Sequence, residues 1–307
     1  MNVCILQNPL IYISFTYHMS GDQVEALKFL LESEMSNNPR YKIMVFFPTA
    51  RQTGYMAALF SLAKMDILEI HSRKSQAQRT KTSETFRAST RGIIFSSDVT
   101  ARGMDYPDVT LVIQMGMTQR DQYIHRLGRT ARAGKEGTGV LVLHPSEYRF
   151  MNNELSDMPL KVIPTEAIIA PIDEKPNSYN KMMAESSILD VEAAQSWQAW
   201  LGFYNGQTKK LGWSTQDLLQ EAKSYANSMG LDDIPALPRR TLSKMGLAKA
   251  EGFKSEEHVP RQVRNRHPND KGRDGKDRGR SEMDYSSRRG GSRSSNGLSG
   301  EQGRGRR

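Results

Sequence analysis

One cysteine, Cys4, stands in 307 residues, so neither an intrachain disulfide framework nor a cysteine-built zinc site is open to this chain. That suits a reducing compartment. No apolar run approaches the ~18 residues of a membrane span. The opening MNVCILQNPLIYISF is apolar but lacks a basic flank, and Asn8-Pro9 interrupts it, which argues against a secretory signal. It is also too poor in Arg and Ser for a transit peptide. Hydrophobic residues make up 37%, low for a wholly globular chain, and the shortage is local. From Lys254 onward only Val259, Val263, Met283, Tyr285 and Leu298 are apolar residues of any size. A segment so poor in burial cannot offset its ordering entropy, and 254–307 is predicted to be a disordered basic tail. It holds 15 Lys+Arg against 8 Asp+Glu, most of the formal net charge of +9, so the folded part is nearly neutral.

What is present before the tail alternates between two periods. Residues 1–20 show no clean pattern. Ser20 and Gln23 are spaced as a capping box, and Val24, Leu27, Leu30 and Leu31 recur on one helical face. Strands are predicted at Lys42–Phe47, Asp66–Ile70, Gly92–Phe95, Val109–Met115 and Thr138–His144. Helices are predicted at about Thr53–Ala63, from the Ser75/Gln78 cap to about Arg87, and from Thr118 as cap to about Ala133. Short apolar strands alternating with amphipathic helices imply an α/β domain, a parallel sheet flanked by helices on both faces, spanning 21–170. Ligands of such sheets bind outside the carboxyl ends of the strands, which puts Pro48–Gln52, Ser96–Asp105 and Gly116–Gln119 on one edge. The turn-rich Pro171–Pro176 opens a second composition, a small α-helical extension over 171–253. Its clearest helix is Thr215–Met229, stopped by Gly230, and Trp197, Trp200, Phe203 and Tyr204 supply apolar surface for packing on the first domain.

The sharpest chemical signal is Tyr123-Ile-His-Arg-Leu-Gly-Arg-Thr-Ala-Arg132. His125, Arg126, Arg129 and Arg132 crowd together with no acid between Asp121 and Glu136. Unpartnered guanidinium groups suit phosphate oxygens, which they grip with two parallel hydrogen bonds. The second signal is Ser96-Ser-Asp-Val-Thr-Ala-Arg-Gly-Met-Asp-Tyr-Pro107, a loop after a strand that offers backbone N–H groups to phosphate and a carboxylate to a ribose hydroxyl.

Together, in this order, the two strings resemble the last two motifs of DEAD-box RNA helicases. Val45-Phe-Phe-Pro-Thr49 and His71…Gln76-Ala-Gln-Arg79 resemble the motifs before them. The resemblance covers about Tyr41–Gly137 and implies a RecA-like fold. It implies that Arg129 and Arg132 are arginine fingers reaching the γ-phosphate of ATP. Asp105 would hold the ribose, and Arg102, Gly103, His125 and Arg126 would complete the nucleotide and domain-coupling set. Thr49, Gln76, Arg79, Ser97 and Asp98 would line the RNA path, touching backbone rather than bases. Ser97 stands where the family usually has Thr, and Ser72 where Gly often follows the His. Trp200–Tyr204 and Pro235–Leu247 resemble the extension of plant and fungal organellar members, which implies a mitochondrial or other organellar location, the alternative being cytoplasmic or nuclear.

The family's other half carries the P-loop, G-x-x-x-x-G-K-[ST], and an Asp-Glu-Ala-Asp string; neither occurs in these 307 residues. ATP with Mg²⁺ is therefore expected to be held mainly by a first RecA-like domain, joined in cis in a longer protein or met in trans. No protein metal site and no membrane partner are expected. The expected function is the C-terminal half of an ATP-dependent RNA helicase that unwinds or remodels duplexes, with little activity by itself. The alternative is a non-enzymatic RNA-binding module. The Arg/Gly/Ser tail, with Arg288-Arg-Gly-Gly-Ser-Arg293, is expected to tether RNA through phosphates.

Overall fold

The structure is a computed structural model that describes residues 10–14, 22–100, 105–131, 137–158, 160–164, 179, 182 and 186–256. The elements run β1 (Leu10–Ser14), α1 (Asp22–Asn37), β2 (Lys42–Phe46), α2 (Ala50–Leu62), β3 (Ile67–Ile70), α3 (Gln76–Ala88), β4 (Gly92–Ser96), β5 (Leu111–Met115), α4 (Arg120–Leu127), β6 (Thr138–Leu143), α5 (Tyr148–Glu154) and β7 (Leu160–Pro164). The extension adds α6 (Ser187–Asn205), α7 (Thr208–Leu211), α8 (Thr215–Ser228), β8 (Leu237–Pro238), α9 (Arg239–Lys244) and β9 (Ser255–Glu256).

The first seven strands form one parallel sheet in the order β3-β4-β2-β5-β6-β1-β7. β2 shows why a continuous apolar run was needed: Ile43 and Val45 face one core cluster, Met44 and Phe46 the other, and all are buried. α3 covers the second face, with Phe86 against Tyr106 at 5.2 Å. α2 is buried on two sides, lying between the sheet and α6. The five expected strands are present. Two more appear. Leu10–Ser14, inside the stretch read as patternless, inserts between β6 and β7, and Leu160–Pro164 closes that edge. A five-residue run has no period of its own to declare it a strand; its place is set by neighbours distant in sequence.

The Ser75/Gln78 capping box is present on α3. The Ser20 cap and the tail beyond residue 256 lie outside the described residues. α8 begins at Ser214, whose hydroxyl accepts from the Asp217 N–H at 3.2 Å, and Gly230 follows with φ +75°. The extension shares one apolar core with the α1–α2 face of the sheet. Trp200, Tyr204, Trp213 and Tyr225 stack within it, at 4.4 Å for Trp200–Tyr204 and 4.9 Å for Trp200–Tyr225. Among the described residues no helix is long and apolar enough to cross a membrane.

Candidate functional site

The chain leaves β2 toward β3 on one side of the sheet and leaves β5 toward β6 on the other. The carboxyl ends of these adjacent strands are thus a topological switch point, where such sheets bind ligands. The loops there touch each other. Gly116 has φ +74°, and a Cβ on it would lie 3.1 Å from Pro48 Cγ and 2.9 Å from the Tyr204 hydroxyl. Only glycine fits both the backbone and the space.

On the β3 side, Thr49 caps α2, its hydroxyl accepting from the Gln52 N–H at 3.1 Å. Glu69 binds His71 at 2.5 Å and Lys74 at 2.6 Å. Burial works to raise the Glu69 carboxyl, but the hydrogen bonds from His71 and Lys74 win and hold it below its usual value. His71 also accepts the Arg73 N–H on Nδ1, at 3.1 Å. On α3, Arg79 donates to Gln76 at 2.6 Å, while its buried Nε meets no acceptor among the described residues. Ser97 is 7% exposed, and its N–H donates to Ile70 O at 3.3 Å, tying the β4 exit to β3. Thr49, Gln76, Arg79 and Ser97, all expected on the RNA path, therefore sit on the exits of β2, β3 and β4.

Asp98, expected on the same path, does something else with its carboxylate. It accepts from Arg126 Nε at 3.0 Å and from Arg126 Nη2. Arg126 is 1% exposed and lies over the Phe46 ring at 5.2 Å. Burial pushes its guanidinium down from its usual pKa, with Asp98 opposing. Its Nη1 has no acceptor among the described residues. Arg126 is thus a strut that binds the Ser96–Thr100 loop to α4.

α4 departs from expectation at both ends. Gln119, not Thr118, is the N-cap; the Thr118 hydroxyl donates to Gln122 Oε1 at 2.8 Å instead. The helix stops at Leu127, six residues short of Ala133. Gly128 is a weak helix former, and the Thr130 hydroxyl leaves the helix to donate to Val109 O at 2.5 Å. Ala131 follows at φ +52°, completing the turn. Arg129 consequently stands on a turn rather than a helical face, half-buried, its Nε donating to His125 O at 3.2 Å. His125 itself is exposed. The charge of Arg129 reaches the Tyr106 phenol, next to the exposed Asp105, whose carbonyl accepts from Arg87 at 3.0 Å. Arg102, Gly103 and Arg132 lie outside the described residues.

The geometry matches known proteins. Residues 22–134 fit the family model described as the helicase conserved C-terminal domain. The chain is 44% identical over 231 residues to DEAD-box ATP-dependent RNA helicase 26 of Arabidopsis thaliana, and 44% over 235 residues to helicase 31 of Oryza sativa subsp. japonica. These matches cover 75% and 76% of this chain. The chain carries the C-terminal domain of the DEAD-box RNA helicase family. It spans 26% and 42% of the length of those two relatives. Among solved structures, domain 2 of the DEAD-box helicase Mss116p, bound to an RNA duplex, superposes with TM-score 0.63 at 26% identity, over 78% of this chain and 95% of that one. Mss116 bound to single-stranded RNA and UDP-BeF gives TM-score 0.65 at 25% identity, over 80% of this chain and 49% of that one.

In this helicase domain one functional-edge residue was not foreseen. Glu147 follows β6 and is buried at 2% exposure. Its Oε1 accepts from the Met117 N–H at 2.7 Å and from the Tyr204 hydroxyl at 2.6 Å; Oε2 accepts from the His144 N–H at 2.8 Å. Burial raises the Glu147 carboxyl against these three donors, and burial beside Glu147 drives the Tyr204 phenol well above its usual value. The extension thereby holds the loop that leads into α4. The one local signal was His144-Pro-Ser-Glu147, a capping box whose carboxylate serves more than its own turn.

Proposed function

We propose that this domain works as the C-terminal half of an ATP-dependent RNA helicase. It closes with a P-loop domain over ATP and RNA and so remodels short duplexes. The observation that carries this reading is the Asp98–Arg126 strut. It fastens the loop after β4 to α4, the helix before Arg129, and would thereby help to bring a carboxylate suited to ribose, Asp105, and a guanidinium suited to phosphate, Arg129, to one edge. Neither needs to search for its place when a nucleotide arrives, which is how preorganised charge lowers a barrier.

Arg129, with Arg132, would stabilise charge developing on the γ-phosphate; Asp105 would hold the ribose. ATP supplies the phosphoryl group. Mg²⁺ would be held with the β-phosphate by the P-loop domain. Thr49, Gln76, Arg79 and Ser97 would follow the RNA backbone across the exits of β2 to β4. The experiment mixes the 307-residue chain with the P-loop domain of a close relative and measures ATP-dependent RNA clamping and ATP turnover. The chain alone is expected to turn over negligible ATP. In the mixture Arg129→Ala should lower turnover about 10³-fold or more. Turnover by the chain alone at a helicase-like rate, or an R129A mixture as active as the parent, would overturn the reading.

A further inference from the structure

The Asp98–Arg126 strut grips the start of the loop after β4. Asp105, further along the chain, is held from another side, by α3. Arg87, in the last turn of α3, donates from Nε to the Asp105 carbonyl at 3.0 Å. One turn earlier the Ser83 hydroxyl accepts from the Tyr106 hydroxyl at 3.0 Å, and Phe86 meets the Tyr106 ring edge-on at 5.2 Å. Ser83, Phe86 and Tyr106 are all buried. The charge of Arg87 also reaches the Tyr106 phenol, as that of Arg129 does. Side chains of one helix therefore fix two consecutive residues, and the first of the two carries the carboxylate expected on the ribose.

An exposed arginine in a last helical turn ordinarily does no more than meet the negative end of its own helix. Arg87 is exposed, yet its Nε is committed to a main-chain carbonyl 18 residues on. The backbone it springs from is tied down from beneath. Lys42, at the start of β2 and 2% exposed, donates from Nζ to the Arg87 carbonyl at 3.1 Å and lies over the Phe86 ring at 5.1 Å. A buried ammonium is costly to place unless it is paired or hydrogen-bonded. Here it serves a carbonyl that the helix end leaves without an intrahelical partner. It thereby anchors the turn that carries Phe86 and Arg87. We propose that Arg87 and Tyr106 are positioning residues that set the backbone of Asp105 and so aim its carboxylate at the ribose of a bound nucleotide. This rests on the reading of Asp105 as the ribose ligand. A hydrogen bond to the Asp105 carbonyl and a fixed ring on the next residue restrain the chain on both sides of one peptide. The carboxylate then has only its own side-chain torsions to settle, which is how a held group spares the entropy of being placed.

The test uses the full chain mixed with the P-loop domain and compares ATP with 2′,3′-dideoxy-ATP. Asp105→Ala should abolish the preference for ATP. Arg87→Ala should reduce that preference about 2- to 10-fold, the worth of one hydrogen bond. The loss should appear in the KM for ATP with kcat retained, as a contact made equally in ground and transition states requires. Arg87→Lys should recover part of the preference, and Arg87→Ala should add nothing to Asp105→Ala, since both act through one carboxylate. In the 307-residue chain alone, Arg87→Ala and Tyr106→Phe should each speed hydrogen exchange at the Asp105 and Tyr106 amides and leave the amides of β4 unchanged. An R87A mixture with the parental preference would overturn the proposal, and the ribose reading would stand if Asp105→Ala still loses its own. An Asp105→Ala mixture that keeps the preference would overturn both. Equal losses on the two nucleotides, or faster exchange throughout the sheet, would mark a general loosening and count against positioning. If the mixture turns over no ATP, the exchange measurement decides alone: parental protection of Asp105 and Tyr106 in both variants overturns the proposal.

Discussion

Single side chains at the sheet edge divide into those that hold and those that wait. Asp98 holds: it neutralises a guanidinium that is 1% exposed. Breaking a fully buried pair costs about 3–5 kcal/mol, and Asp98 is partly open to water, so Asp98→Ala is expected to cost about 2–3 kcal/mol in urea unfolding. Asp98→Ala combined with Arg126→Met should cost less than Asp98→Ala alone, since no charge is then stranded. An additive double variant would contradict the strut. Glu69 makes a pH-dependent case. Its folded carboxyl titrates below the unfolded one, so its contribution is complete above the unfolded value, about 4.3, and fades as pH falls through the lower folded value. Glu69→Gln should flatten the stability profile in that acid window and lower stability at pH 7. A profile with the parental acid slope would rule the Glu69–His71–Lys74 group out as its source. That an arginine-rich string and a Ser/Asp/Gly loop follow strands of one sheet was legible in the sequence. Which carboxylate meets which guanidinium was not: Asp98 and Arg126 are 28 residues apart, and nothing local pairs them.

For whole elements, the caps and the alternation of periods carried the reading. Ser75 with Gln78 announced α3 because both halves of that cap lie within four residues. α4 was overrun because Thr118 and Gly128 are judged locally, while the hydroxyl of Thr130 is claimed by a carbonyl on the approach to β5. β1 escaped notice since a five-residue strand depends on neighbours that close around it. The loop between β5 and α4 belongs to this scale too. Three parts of the chain converge on Glu147, and the Tyr204 hydroxyl is the extension's share. Hydrogen bonds to charged groups contribute about 1.5–3 kcal/mol, so Tyr204→Phe should lower stability by an amount in that range. It should also speed hydrogen exchange at the Met117 amide more than at amides of β2. Equal protection of Met117 in parent and variant would show that the loop holds itself.

The molecule as a whole reads as two compositions that fold as one core. The junction near Pro171 was visible as a change of pattern, and so was the packing of Trp197 on the first domain; its companions in that core, Tyr55 and Phe60, were not, because packing partners across a junction leave no trace in either pattern. All three tryptophans, Trp197, Trp200 and Trp213, lie in the extension, whereas the sheet dominates the backbone signal. Urea curves followed by tryptophan fluorescence and by far-ultraviolet circular dichroism should therefore coincide, as one cooperative unit requires. Two separated transitions would show an extension that folds apart. The direction of β1 sets a constraint on anything joined ahead of it. It runs parallel to its neighbours, so Leu10 lies at the pole opposite the ligand-bearing edge. A strand of five residues stands about 17 Å tall. A tether arriving at Leu10 must run alongside that height before its cargo can face the crevice, so shortening the tether below this reach should stop two joined halves from meeting, however well their surfaces match.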